Sequence, residues 1–340
     1  MTPQQINKLI SNGVFPGFTQ KAELIETHIS WVVVCRDFVY KIKKPVSYSF
    51  LDFSTVQQRE YYCNRELQLN RRFSNDIYLS VLPVRESREH ISIGEGKGET
   101  IDYAVCMRKL DKDKQMDRLL TNHLVTPEDI GRLAEKIAGF HKSAAIISKK
   151  DYLDIPALFN DLQEQQVYIA GAIDKPTADL ISVATNISAT FAETNKNVFA
   201  ERLRNGFFRD CHGDLHTRNI FLLPAPQPFD CIEFNNDLRQ IDILNEVAFL
   251  CMDLDAFGRK DLSDLFIDCY NKLLPAISTV TDQKLFIYYK SYRANIRAKI
   301  NTLRAKTAVN QAVRNQSLAE TRKYLLLMDF YIKQVPKTAS

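Results

Sequence analysis

Apolar and polar positions change their rhythm about a third of the way along the chain. Through residues 1–110 the apolar residues fall in short β-branched and aromatic runs. Trp31–Cys35 and Phe38–Ile42 are two such runs, and only Arg36 and Asp37 separate them, which predicts a tight antiparallel hairpin. An earlier strand is expected over Ala22–Glu26, and further strands over "IYLSVLPV", "EHISIG" and "TIDYAVCMRKL". Between them, Ser54 or Thr55 offers an N-cap for a helix reaching about Phe73, because Val56, Tyr62, Cys63, Leu67, Asn70 and Phe73 roughly follow a helical stripe. Gly94, Gly96 and Gly98 punctuate a hairpin turn; they open no helix, so their spacing is not read as a phosphate loop.

After Leu110 a charged link, "DKDKQMDR", leads into long helical patterns at Thr126–Ile147, Ile155–Ala170, Lys175–Asn195, Leu238–Asp255, Lys260–Leu273, Asp282–Arg304 and Ser317–Tyr331. Strand-like pieces interrupt them only near residue 211. The expected class is α+β: a β-rich lobe over 1–110, a helical lobe over 111–340, and a cleft between them.

Composition narrows the setting. The chain has 340 residues, 45% hydrophobic and 25% charged, which suits a soluble globular protein. A net charge of +4 is too small to argue for bulk binding to nucleic acid or a membrane surface. The seven cysteines form no CxxC pair and several sit in apolar runs, so a reduced, cytoplasmic setting is expected. No secretory leader or membrane-spanning run is read from the sequence, and no obligate protein partner is inferred.

One stretch concentrates chemistry. "CHGDLHTRNIFLLPAPQPFDCIEFN", starting at Cys211, sets Asp214 two residues after His212 and Asn219 five residues after Asp214. Zinc ligation by His212 and His216 wants a helix, whereas this segment reads as a loop. The spacing is that of the protein-kinase catalytic loop, in which an aspartate receives the acceptor hydroxyl's proton and an asparagine binds magnesium. The HGDxxxxN variant, followed by an apolar strand and Ile232-Glu233-Phe234, resembles the aminoglycoside phosphotransferase branch of the protein-kinase-like superfamily. That resemblance implies a two-lobed kinase-like fold, ATP and Mg²⁺ as cofactors, Asp214 as catalytic base or hydroxyl orienter, and Asn219 and Glu233 as metal ligands. Hard cations select oxygen donors, which agrees with that pair. Asp242 resembles the buried acid that ties the loop to a helix.

In such a fold a strand lysine holds the α and β phosphates and pairs with a glutamate from the next helix. Lys41 in "FVYKIKKPV" is the better match, and Lys43 and Lys44 are assigned to the solvated end of the strand. Glu66, central in its helix, is preferred to Glu60 as partner. No G-x-G-x-x-G is present; the corresponding turn, "ETHIS", offers Thr27, His28 and Ser30 instead. "CMRKL" is the expected hinge, with backbone groups near Met107 and Lys109 for adenine, and Val105 and Leu110 lining its pocket. Glu233 departs from the usual aspartate, and its longer reach puts metal coordination in question.

Over nearly the whole chain the likeness is to a bacterial group of stand-alone phosphotransferase-like proteins whose relatives are sometimes fused to a P-loop ATPase domain; no GxxxxGK[ST] occurs here. Arg293, Arg297 and Arg304 lie at i, i+4 and i+11 of one helix face, either as a solvated face or as a clamp for an anionic acceptor. The expected activity is phosphoryl transfer from ATP to a hydroxyl of an unidentified small molecule. The alternative is a nucleotide-binding regulatory module that transfers nothing.

Overall fold

The fold is taken from a computed structural model that describes residues 1–16, 22–48, 51–74, 76–88, 90–151 and 154–335. In chain order the elements are α1 (Pro3–Asn12), β1 (Glu23–Glu26), β2 (Ser30–Val34), β3 (Phe38–Lys43), β4 (Ser47–Tyr48), β5 (Leu51–Asp52), α2 (Val56–Asn70), β6 (Tyr78–Glu86), β7 (Ile91–Ile93) and β8 (Glu99–Arg108). They continue with α3 (Met116–Thr121), α4 (Pro127–Ser143), α5 (Ile155–Asn160), α6 (Gln166–Ala172), α7 (Lys175–Thr194), α8 (Lys196–Arg204), β9 (Phe208–Asp210), β10 (Ile220–Phe221) and β11 (Gln227–Pro228). The last are α9 (Asn236–Arg239), β12 (Gln240–Asp242), α10 (Ile243–Ala256), α11 (Lys260–Leu273), α12 (Val280–Thr307) and α13 (Gln311–Ile332). Among the described residues no helix is long and apolar enough to cross a membrane.

The chain forms two compact units, and the division is discontinuous. Met1–Arg118 with Asn219–Arg239 makes one; Leu119–Arg218 with Gln240–Ser340 makes the other. A single break after residue 110 was the expectation. Segment 219–239 joins the first unit because hydrogen bonds stitch it there: Ser74 Oγ donates to the Pro228 carbonyl at 2.7 Å, and the Cys231 amide donates to Asn70 Oδ1 at 2.9 Å.

In the first unit the strands form one antiparallel sheet in the order β1-β2-β3-β8-β6-β7. β-Branched and aromatic side chains suit its pleat. Tyr40 and Ile42 of β3 are fully buried in a core with Trp31, Val33, Val84 and Leu9 of α1. Their neighbours Lys41 and Lys43 therefore stand on the other face, toward α2. A one-residue slip in β3 would push both ammonium groups into the apolar core, so the register is strongly set. Thr55 caps α2, its hydroxyl accepting the Gln58 amide at 3.2 Å. The glycine turn joins edge strand β7 to β8 across β6 rather than closing a hairpin, since β6 lies between them. Gly98 sits there at φ +125°, and an added Cβ would fall 2.2 Å from the Glu86 carbonyl oxygen.

The second unit is helical around α10, whose residues Ile243–Leu254 are all buried; it packs against α11 and α12, and α12 against α13. The pattern expected as one helix over 155–170 is broken into α5, a 3₁₀ turn and α6. The expected helix at 238–255 is preceded by β12, which pairs with β9. Asp242 closes that strand and caps α10 by accepting the Leu244 amide at 2.8 Å. It also holds the buried Arg202 guanidinium at 2.6 and 2.9 Å.

Removing one member of a buried pair strands the other charge, a loss of about 3–5 kcal/mol. Asp242→Ala is expected to lower stability by that order in chemical denaturation followed by far-UV circular dichroism.

Candidate functional site

In the first unit, alternation along β3 aims two lysines at one helix. Glu66 is fully buried in the middle of α2 and accepts from both: Lys41 Nζ at 2.8 Å on Oε1 and Lys43 Nζ at 2.7 Å on Oε2. The chain then returns from residue 219 to bring two more carboxylates. Asp230 accepts from Lys41 Nζ at 2.6 Å, and Glu233 pairs with Lys43 Nζ. Lys43, assigned from the sequence to a solvated strand end, is instead fully buried, because it lies two residues from Lys41 and shares its face. The stem of β10 and β11 places Asn219 at the same base: the Phe229 amide donates to the Asn219 carbonyl at 2.9 Å, one residue before Asp230.

Five charged side chains thus alternate in sign within a mostly buried cluster. Burial pushes the Glu66 carboxyl up, but Lys41 and Lys43 overcome it and bring the group down to about 2. For Glu233 burial wins, with Glu66 adding repulsion, and the carboxyl is raised despite Lys43. Both lysines are held above their ordinary value by these carboxylates, against burial.

Other expected nucleotide contacts are less open. In the β1–β2 turn the Thr27 hydroxyl accepts the Ser30 amide at 2.9 Å and donates to the Ser30 carbonyl at 3.0 Å, and Ser30 is buried. The Thr27 hydroxyl is thus engaged by the turn itself, while Thr27 and His28 stay exposed and Ser30 does not. At the expected hinge, the Lys109 amide donates to the Asp37 carbonyl at 2.9 Å, so it is not available as a donor. Met107, Val105 and Leu110 belong to one apolar cluster with Cys63 and Tyr78.

In the second unit the loop from Cys211 is built on α10. Glu246 accepts the His212 amide at 2.6 Å and the Gly213 amide at 2.8 Å. Seven residues on, and so on the same helix face, Asp253 accepts both the Thr217 amide at 3.0 Å and its hydroxyl at 2.6 Å. The loop-tying role that the sequence assigned to Asp242 belongs to Glu246, since Asp242 is committed to Arg202 and to the α10 cap. Gly213 stands at φ +86°, a conformation that side chains rarely adopt, which accounts for glycine where protein kinases carry arginine. Asp214 remains a third exposed, with His216 Nε2 at 3.4 Å from its carboxylate. Burial raises its carboxyl, but His216, His212 and Arg297 outweigh this and hold it well below the usual range.

Arg293 and Arg297 are neither a solvated face nor an open clamp. Both are buried, whereas Arg304 is exposed. Arg293 donates to Asn245 Oδ1 at 2.7 Å and to the Gly213 carbonyl at 3.2 Å, and Arg297 lies over the Tyr324 ring. Arg293 thereby supports the loop from the interior. His141, Cys211 and Glu246 also gather within 4.8 Å of one another, but Glu246 already serves two loop amides and His141 Nδ1 is bonded to the Tyr270 hydroxyl at 2.7 Å.

Comparison with known proteins places this geometry in a known fold. No family profile matches the chain. It aligns with choline kinase from Cryptosporidium parvum Iowa II at a TM-score of 0.57 and 11% identity, covering 92% of this chain and 90% of that one. The GDP complex of aminoglycoside 2'-phosphotransferase IIIa gives a TM-score of 0.55 at 14% identity, covering 92% and 94%. An aminoglycoside phosphotransferase from Alicyclobacillus acidocaldarius gives 0.51 at 14%, covering 98% and 96%. The chain shares the kinase-like fold of these solved structures. Among curated proteins, uncharacterized proteins of Mycobacterium tuberculosis and Mycobacterium bovis are 32% identical over 282 residues, 82% of this chain and 54% of theirs. The chain thus spans about half the length of the curated relatives it matches.

The lowered Glu66 carboxyl carries a sign. Its contribution to stability is complete above its ordinary value of 4.5 and is lost as pH falls toward about 2. Glu66→Gln is expected to destabilise the first unit by about 3–5 kcal/mol at pH 7. That gap should narrow between pH 4.5 and about 2, measured by urea unfolding through the fluorescence of Trp31, the single tryptophan.

Proposed function

We propose that this protein is a small-molecule kinase, transferring a phosphoryl group from ATP to a hydroxyl acceptor in the presence of Mg²⁺. The observation that carries this reading is the cluster in which Lys41 pairs with the buried Glu66 next to Asp230 and Glu233. A pair of that kind is what a nucleotide's α and β phosphates need, a fixed cation backed by a carboxylate. The kinase-like fold adds support.

The donor chemistry fits magnesium. The Asn219 amide oxygen and the Glu233 carboxylate are hard oxygen ligands, and Glu233 is a buried carboxylate whose negative form is under-compensated by Lys43. These two residues would hold the ion, which when bound would neutralise charge on the phosphates. Lys41 would draw the α and β phosphates against β3, with Glu66 fixing the direction of its ammonium. Asp214, kept ionised by His216, His212 and Arg297, would accept the acceptor's hydroxyl proton or aim that hydroxyl. The amides of His212, Gly213 and Thr217 are engaged by Glu246 and Asp253, so the loop bearing Asp214 is held by its backbone while the side chain stays accessible.

A screen of sugars, amino alcohols and nucleosides with ATP and Mg²⁺, followed by ADP release, tests the reading. Turnover with one of them is expected, and Asp214→Asn should reduce it about 10²–10⁴-fold with ATP affinity largely kept. Lys41→Ala should instead weaken ATP binding. Nucleotide binding with no turnover across the screen would favour a regulatory module, and normal turnover in Asp214→Asn would overturn its assigned role.

A further inference from the structure

The corner between α12 and α13 takes no part in the site described above, and its composition departs from that of the chain. Asp and Glu make up 41 of the 340 residues, yet none occurs from Gln283 to Ala319. A small net charge therefore hides a local excess of cations. Lys299, Arg304, Lys306 and Arg314 gather toward the corner. Asp161, which follows α5, answers Lys299 at 2.8 Å. Lys306 meets neutral groups, the Gln165 side-chain oxygen at 2.5 Å and the Tyr168 ring at 5.0 Å. Arg304 and Arg314 are exposed, and neither pairs with an acid among the described residues. The first turn of α13, where the helix dipole favours an acid, has none.

Aliphatic side chains stand among these cations. Ile300 and Leu303, one turn apart on one face of α12, are 45% and 38% exposed. Val309, in the turn itself, is fully exposed, and Val167, next to the Tyr168 that Lys306 covers, is 87% exposed. A lone exposed aliphatic residue needs no explanation, but several at one corner do. Behind them the corner is firmly held. The buried Thr302 and Thr321 hydroxyls lie 3.3 Å apart across the two helices, and the Asn310 side chain caps α13 by accepting the Ala312 amide at 2.8 Å.

Cations alone would suit any polyanion. Proteins that grip single-stranded nucleic acid add aromatic faces on which bases stack, whereas an interfacial surface adds aliphatic side chains that enter the boundary between headgroups and acyl chains. Here the exposed side chains beside the cations are aliphatic. Long Arg and Lys stems also let the charged heads stay at headgroup level while such side chains go deeper.

We propose that the α12–α13 corner is a peripheral docking surface for an anionic lipid bilayer. Ile300, Leu303 and Val309 enter the headgroup boundary, and Arg304, Lys306 and Arg314 meet lipid phosphates. This surface does not depend on the phosphotransferase reading. Contact through so few side chains is reversible and weakens with salt.

Flotation of the full chain with lipid vesicles tests the surface. At low salt the protein is expected to rise with vesicles of phosphatidylcholine and phosphatidylglycerol in equal parts, and to stay behind with phosphatidylcholine alone. Arg304→Gln with Arg314→Gln should lower partitioning about 30-fold, about fivefold per cation. Val309→Ser should lower it about 3–10-fold. All three positions are exposed, so these variants keep the fold, which far-UV circular dichroism checks. Arg36→Gln with Lys97→Gln removes the same charge from exposed positions of the first unit and should change partitioning less than about twofold. Wild-type protein that fails to float with anionic vesicles overturns the proposal. An equal loss in the Arg36 and Lys97 variant also overturns it, because the attraction would then have no fixed place on the molecule. Unchanged partitioning of Val309→Ser overturns it too, since the corner would not enter the bilayer. Binding of a single-stranded oligonucleotide in place of anionic vesicles assigns the cations to nucleic acid and overturns it as well.

Discussion

The first unit depends on one constraint: two ammonium groups on one face of β3 have to be neutralised where water is scarce. Placing an isolated charge in a low-dielectric interior is prohibitive, so each lysine must meet carboxylates at hydrogen-bond distance. Glu66 answers for both lysines from α2, and the 230–233 segment supplies the remainder. That requirement explains why a stretch nearly two hundred residues downstream of β3 is hydrogen-bonded into the β-rich unit. It also explains why the register of β3 tolerates no slip. A cluster with three carboxylates and two lysines meets every ammonium that β3 turns inward.

The helical unit solves a different problem. An irregular loop has amides and carbonyls that must be satisfied, and here α10 satisfies them with acids one heptad apart, Glu246 and Asp253. Arg293 completes the set from α12 through the Gly213 carbonyl. Charged residues in the apolar interior of these helices are therefore backbone partners for the loop. The loop's one accessible acid, Asp214, stands out because its neighbours' backbone groups are already spent.

Much of this was legible in the sequence, for reasons that differ by residue. Strict alternation over Phe38–Ile42 named the face on which Lys41 stands, and a helical stripe centred near Glu66 put that residue within reach; the structure joins the two at 2.8 Å. The same alternation applies to Lys43, but its place in a run of lysines before a proline suggested a solvated end. Burial of a charge depends on partners that arrive from elsewhere in the chain, and local pattern does not reveal them. For Arg293 and Arg297, likewise, helical spacing shows that two residues share a face, not whether the face meets water or another helix; both are buried. Glu246 and Asp253 did carry a signal, as acids seven apart inside "NEVAFLCMDLD", an otherwise apolar run. Asp230 carried little, since its position follows from a hairpin and a positive φ that composition does not show.

The most direct measurement of the central claim is a crystal structure with a non-hydrolysable ATP analogue and Mg²⁺. The account predicts α- or β-phosphate oxygens within hydrogen-bond distance of Lys41 Nζ, with the Lys41–Glu66 pair intact. Triphosphate bound away from β3, or Lys41 left untouched by the phosphates, would contradict it.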